Sequence, residues 1–131
     1  MRHYLFVGVG SAVGGLARFG TVTAAVAVFG PGFPIATLFV NVLGSLLIGL
    51  IAGLSRAESR LLITPERRSL LAVGFCGGFT TFSFFSWHIL ALAEAGQAPL
   101  ALLYLASTTL FSLLAVGIGY VLAGLPLGRV P

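Results

Sequence analysis

The chain contains no lysine and no aspartate, and its only acids are Glu58, Glu66 and Glu94. All three glutamates fall in loops or at segment ends, outside the apolar stretches. A proton-coupled transporter needs an ionisable carboxylate at membrane depth, so the pattern argues against one. The single cysteine, Cys76, excludes an internal disulfide and a multi-cysteine metal site. His3 and His88 are far apart and make no metal pair; with Trp87 they read as interfacial residues. No nucleophile–base pairing, phosphate-binding glycine loop or metal-ligand cluster is present, so the chain does not read as an enzyme. Charged residues make up 8% of the chain, against about 25% in a soluble domain. No basic patch is interleaved with aromatics, which excludes a nucleic-acid surface. The net charge of +4 comes from seven arginines placed mostly at segment ends, where it suits lipid headgroups.

What the chain has instead is apolar length. It is 58% hydrophobic with a mean hydropathy of +1.10. Four apolar segments, at about 4–29, 35–54, 69–92 and 100–122, approach or exceed the roughly 20 residues that cross a bilayer. The expectation is an all-α membrane protein, residues 1–131 forming one four-helix unit. Because the apolar segments recur, the first does not read as a lone cleaved signal. Gly30, Pro31, Gly32 and Pro34 form the first break, residues 56–68 a solvated loop, and residues 94–99 the third turn. Pro126 ends the last helix. Four crossings put Arg2, Arg56, Arg60, Arg67, Arg68 and Arg129 on one side and at most Arg18 on the other, with Glu94. Such a bias predicts cytoplasmic termini.

Gly10 and Gly14, then Ser45, Gly49 and Gly53, recur at helix-packing intervals, and Gly117, Gly119 and Gly124 read the same way. In lipid, close approach through small residues is a main source of packing. The third segment is different. It contains Gly74-Phe75-Cys76-Gly77-Gly78-Phe79-Thr80-Thr81-Phe82-Ser83-Phe84-Phe85, and each glycine weakens a helix by about 1 kcal/mol relative to alanine. Backbone groups freed by a break in hydrocarbon must find partners within the protein.

Several polar residues lie at membrane depth. Arg18 reads either as an arginine snorkelling to the headgroups or as a cation at the mouth of a water-filled vestibule. Thr37, Asn41 and Ser45 share one face of the second helix. Asn41 is either helix–helix glue or an amide donor for a desolvated anion. Tyr104, Thr108 and Ser112 repeat the spacing on the fourth helix, so the two stripes can face each other across a hydroxyl-lined path. Phe82 and Phe85 also share a face. They read as core packing or as ring edges, which carry positive charge, turned toward an anion. Four helices enclose little volume, so a pathway calls for a second copy or a related chain.

Taken together, these residues resemble the CrcB family, the Fluc-type fluoride channels. The third-helix stretch from Gly74 to Phe85 carries most of the resemblance, with Gly14 to Phe19 and Thr37 to Gly44 supporting it. Ala36 stands where the family pattern has glycine, and Phe84 where it has threonine. The resemblance implies an antiparallel, dual-topology-type dimer with two fluoride pathways in the cell membrane, giving passive fluoride export and fluoride resistance. It implies an anion path through Asn41, Phe82, Ser83, Phe85, Tyr104, Thr108 and Ser112, with Arg18 in the vestibule. It further implies a structural Na⁺ at the dimer centre, held by the backbone carbonyls of Gly77 and Thr80. The arginine bias leaves the partner open: a second copy, or a paired homologous chain of opposite orientation. A small multidrug-resistance-type transporter shares the four-helix antiparallel architecture but calls for a first-helix carboxylate that this chain lacks. A non-conducting subunit of a heterodimer is the third reading.

Overall fold

A computed structural model describes residues 2–30, 34–55 and 63–124, with the Arg2 side chain left aside. Among these residues all regular structure is helical. The elements are α1 (Arg2–Phe29), α2 (Ile35–Leu54), α3 (Pro65–Arg68), a π-helix (Ser69–Cys76), α4 (Gly77–Phe79), α5 (Phe82–Glu94) and α6 (Ala98–Gly124). α3 through α5 form one span, Pro65–Glu94, so four segments are long and apolar enough to cross a membrane. The shortest, α2, has 20 residues, about 30 Å at 1.5 Å per residue. Pro31, Gly32, Arg56, Glu58, Arg60, Pro126 and Arg129 lie outside the described residues, and with them three of the six arginines that make the asymmetry.

Three of the four spans run past the apolar limits read from sequence. Helical hydrogen bonding continues past them where end signals allow it. The third span starts at Pro65 because Thr64 caps it, its hydroxyl accepting from the Arg67 amide at 3.3 Å. α5 ends in a Schellman motif: Gly96, at φ +74°, donates to the Ala93 carbonyl and Gln97 donates to that of Leu92. That turn leads directly into α6, bringing α5 and α6 side by side.

Glycine contacts sort the helices into two tight pairs. α1 lies on the π-helix and α4, where a Cβ at Gly10 would strike the Leu70 carbonyl and one at Gly14 that of Phe75. Gly78 meets Ser11 in the same way. α2 lies on α6 with reciprocal contacts, Gly49 on the Val116 carbonyl and Gly119 on that of Leu46. Gly117 departs from the packing expectation and faces open space. A third contact joins α5 to α6 through buried Phe85, Leu92, Ala101 and Tyr104, with Leu38 of α2 against them. Large apolar side chains such as Leu16, Phe19, Leu102 and Leu113 point outward, as suits a surface bathed in lipid.

The π-helix widens the backbone where α1 presses against it, and Ser11 Oγ donates to the Gly74 carbonyl at 3.4 Å. π-helical turns are rare and concentrate near functional sites. Here the widened stretch delivers the chain to the break. Packing of this kind predicts unequal tolerance at two glycines of the same region. Gly49→Val should destabilise the protein by about 1–3 kcal/mol through overpacking, whereas Gly117→Ala, with open space for its methyl group, should keep or slightly raise the melting temperature in detergent. Thermal melts of the two variants check this.

Candidate functional site

The third span breaks at Thr80 and Thr81, both extended (φ −82°, ψ 163° and φ −152°, ψ 119°). Thr80 still closes the preceding turn, its amide and its hydroxyl both donating to the Cys76 carbonyl at 3.0 and 2.9 Å. Thr81 starts the next helix, its hydroxyl accepting from the Phe84 amide at 3.2 Å. The groups between are satisfied from other helices. Asn41 Oδ1 accepts from the Thr81 amide at 2.8 Å, and Asn41 Nδ2 donates to the Thr81 carbonyl at 3.1 Å. Arg18 Nη1 donates to the Thr80 carbonyl at 3.1 Å. Because the Thr81 amide turns to Asn41, it no longer closes a helical turn onto Gly77.

Asn41 reaches the break because α2 comes close there. Gly44, one turn on, lies against the Thr80 methyl group, and a Cβ would overlap it. The Asn41 backbone is tied in turn, its carbonyl accepting from Ser45 Oγ at 2.7 Å. Of the two readings of Asn41, the structure shows the helix–helix link, made to a backbone peptide. One Nδ2 hydrogen is left over, since the amide has two and a single bond from it is made to Thr81.

Beside the break lies a groove of about 400 Å³. It brings together Asn41, Gly77, Thr80, Phe82, Phe85, Thr108 and Ser112 from the residues singled out in the sequence. None of its lining residues is charged. The Phe82 and Phe85 rings are 5.8 Å apart and tilted by 48°, but they differ in setting: Phe85 is 8% exposed and Phe82 79%. Tyr104 is fully buried, stacked at a tilt on Phe85 at 5.5 Å. Thr37 of α2 and Thr108 of α6 are both buried beside Tyr104, and Thr108 Oγ1 has no hydrogen-bond partner among the described residues. The two polar stripes thus meet at Tyr104. Ser112 Oγ is buried on the same line with no hydrogen-bond partner among the described residues. Amide and hydroxyl hydrogens with aromatic edges are the donors that suit a small, partly desolvated anion.

Three residues have surroundings that spacing alone does not give. Arg18 is half-buried against the break and engaged with Thr80. Ser83 points away from the groove, into a separate shallow site with Phe84 and Trp87. His88 is turned inward: its ring stands edge-on to Tyr104 and beside Phe84, each at 6.1 Å. The sequence reading also passed over Thr81, whose signal was its place directly after a glycine-weakened turn.

The clamp is testable by stability. Asn41→Leu leaves the Thr81 amide without a partner, a loss of about 1–3 kcal/mol, and removes one of the bonds to the Thr81 carbonyl. A marked fall in melting temperature is expected, with Asn41→Gln recovering little because the longer side chain overshoots.

The CrcB-like protein, Camphor Resistance (CrcB) family matches residues 5–120. A protein of Thermus thermophilus named fluoride-specific ion channel FluC is 44% identical over 98% of this chain and 100% of its own length. One of Chlorobaculum tepidum with the same name is 46% identical over 95% of this chain and 97% of its own. A FluC 1 protein of Bradyrhizobium diazoefficiens is 44% identical over 92% of this chain and 83% of its own. The break, the apolar spans and these likenesses agree: the chain belongs to the CrcB family of multi-pass membrane proteins.

Proposed function

We propose that the protein is a fluoride-selective channel that lets fluoride leave the cell passively. The observation that carries this reading is the uncharged groove at the break, in a chain whose relatives are named fluoride-specific channels. An anion crossing hydrocarbon needs partial positive charge along its way. A full charge at the narrowest point would hold it too tightly to leave. Asn41 offers its remaining N–H, Thr108 and Ser112 their hydroxyls, Phe82 and Phe85 their ring edges. Tyr104 links the groove to Thr37. Arg18, the one cation near the break among the described residues, is turned onto the Thr80 carbonyl and raises the local potential without entering the groove. No covalent chemistry is involved. Fluoride that enters an acid-stressed cell as HF dissociates there, and the channel returns the anion down its gradient.

One chain makes half of the conduit. The groove is open on one side and the Phe82 ring is largely uncovered, so a second copy packed antiparallel closes it. Ser83 faces the other way and takes part only through that second copy. Gly77 and Thr80 together suit a structural Na⁺ at the dimer centre. The break deprives the Gly77 carbonyl of its helical donor, and a Cβ at Gly77 would meet nothing within 4 Å, so the backbone there is open to approach. Carbonyl oxygens are hard donors fit for a hard cation. The Thr80 carbonyl already accepts from Arg18, so the ion would share it through the second lone pair.

Two measurements bear on this. Purified protein in liposomes should release fluoride, and not chloride, on addition of a potassium ionophore. Phe82→Ile should cut that release at least about tenfold, on the order of 1.4 kcal/mol at the barrier, with dimer elution unchanged. A folded dimer that passes no fluoride would point to a subunit needing a different partner chain. Replacing Na⁺ by a bulky organic cation throughout purification should lower both dimer stability and flux; indifference to that exchange would remove the Gly77 and Thr80 site.

A further inference from the structure

A second groove, of about 590 Å³, runs between the first turns of α1 and the start of the third span. Leu5, Phe6 and Val9 form one wall, Glu66 and Leu70 the other. It shares no lining residue with the groove at the break, so a second copy seated there need not cover it. The two walls are tied together at their outer end. Ser69 Oγ donates to the Pro65 carbonyl at 3.0 Å and accepts from His3 Nδ1 at 3.3 Å. That bond puts the beginning of α1 and the beginning of the Pro65–Glu94 span on one side of the membrane, at the level of the lipid headgroups.

Leu5 and Val9 stand one helical turn apart, as do Glu66 and Leu70, so the groove follows the helices inward from the carboxylate to an apolar end. That is the polarity of a phospholipid, headgroup outside and acyl chain within. Charge narrows the class. Glu66 is half-buried in the groove wall and is followed at once by the exposed Arg67 and Arg68. A headgroup that is anionic only would meet the Glu66 carboxylate as a like charge. A choline headgroup carries both signs, but its nitrogen has no hydrogen to donate. A phosphoethanolamine headgroup carries a phosphate for the arginines and a primary ammonium with three donors for the carboxylate. A carboxylate accepts at about four sites, which leaves room for the ammonium beside the interaction that Glu66 already makes within the chain. Hydrogen bonds between two ionised groups are the stronger kind.

We propose that this groove is a binding site for a phospholipid with a phosphoethanolamine headgroup. One acyl chain lies along Leu5, Val9 and Leu70, the ammonium donates to the Glu66 carboxylate, and the phosphate lies on the side of Arg67 and Arg68. The lipid bridges α1 and the third span at the end where their backbones part. Close backbone contact between them is made deeper, where Gly10 meets Leu70 and Gly74 meets Val7. A lipid seated above that contact braces the outer end of the helix pair. The site does not depend on the channel reading.

Native mass spectrometry of the full chain in detergent tests the site. Phosphatidylethanolamine, phosphatidylcholine and phosphatidylglycerol with identical acyl chains are added at equal concentration. The bound fraction should be at least about threefold higher with phosphatidylethanolamine than with either other lipid, a preference within reach of one half-exposed ion pair. Methylating the ethanolamine nitrogen step by step should lower retention by the wild-type protein until it equals that of the choline lipid, a readout that needs no variant. Glu66→Gln should bring phosphatidylethanolamine down to the same level. Val9→Trp, which fills the groove, should lower its retention while leaving dimer elution unchanged. Equal retention of the ethanolamine and choline lipids, a preference for phosphatidylglycerol, or a Glu66→Gln protein that keeps the full preference overturns the proposal. A Val9→Trp protein that no longer dimerises overturns it too, because the groove is then the seat of a second copy.

Discussion

Inside a bilayer a helix cannot break and leave its peptide groups to water, so everything at the centre of this protein depends on the Asn41 side chain holding the Thr81 peptide. The amide matches both the N–H and the C=O of one residue, replacing the helical bond from the Thr81 amide that the break removes and adding a second bond to its carbonyl. Arg18 satisfies the carbonyl next door. Together they allow two extended residues to persist between α4 and α5. That kink turns α5 so that Phe85 packs on Tyr104 of α6 while Phe82 is left uncovered. Without the clamp, the third span has no reason to present its ring edges beside the hydroxyls of α6.

The rest of the fold holds the clamp in register. α1 carries Arg18 and is fixed to the π-helix through Gly10 and Gly14; α2 carries Asn41 and is fixed to α6 through Gly49 and Gly119. Backbone contacts of this closeness leave little freedom for sliding. Each helix pair therefore delivers one side chain to the break: Arg18 from the first, Asn41 from the second. The same division keeps charge and path apart. Arg18 is spent on a carbonyl, and the groove beside it is lined only by neutral groups.

Much of this was legible in the sequence, for identifiable reasons. Apolar runs bounded by glycine, proline and arginine mark the four spans because lipid imposes a length on them. The glycines from Gly74 to Gly78 mark the weak turn, and the spacings Thr37–Asn41–Ser45 and Tyr104–Thr108–Ser112 mark faces that do meet, at Tyr104. What spacing does not encode is the partner a side chain selects. Asn41 reads equally well as glue or as anion donor until the position of Thr81 is known. Ser83 follows Phe82 in sequence, yet successive helical residues point about 100° apart, which turns it to the other side. His88 looked interfacial because it is near a helix end, and only the docking of α5 on α6 through the tight 95–97 turn places it against Tyr104. The π-helix is likewise not encoded by spacing; Gly74 lies within it where the backbone of α1 approaches most closely.

The central claim is that a neutral groove organised by the broken third span passes a small anion and excludes a larger one. The most direct test is the reversal potential of the wild-type protein in a planar bilayer, with fluoride on one side and an equal concentration of chloride on the other. A reversal potential displaced far toward the fluoride equilibrium value is predicted. A potential near zero, with chloride carrying comparable current, would contradict the account.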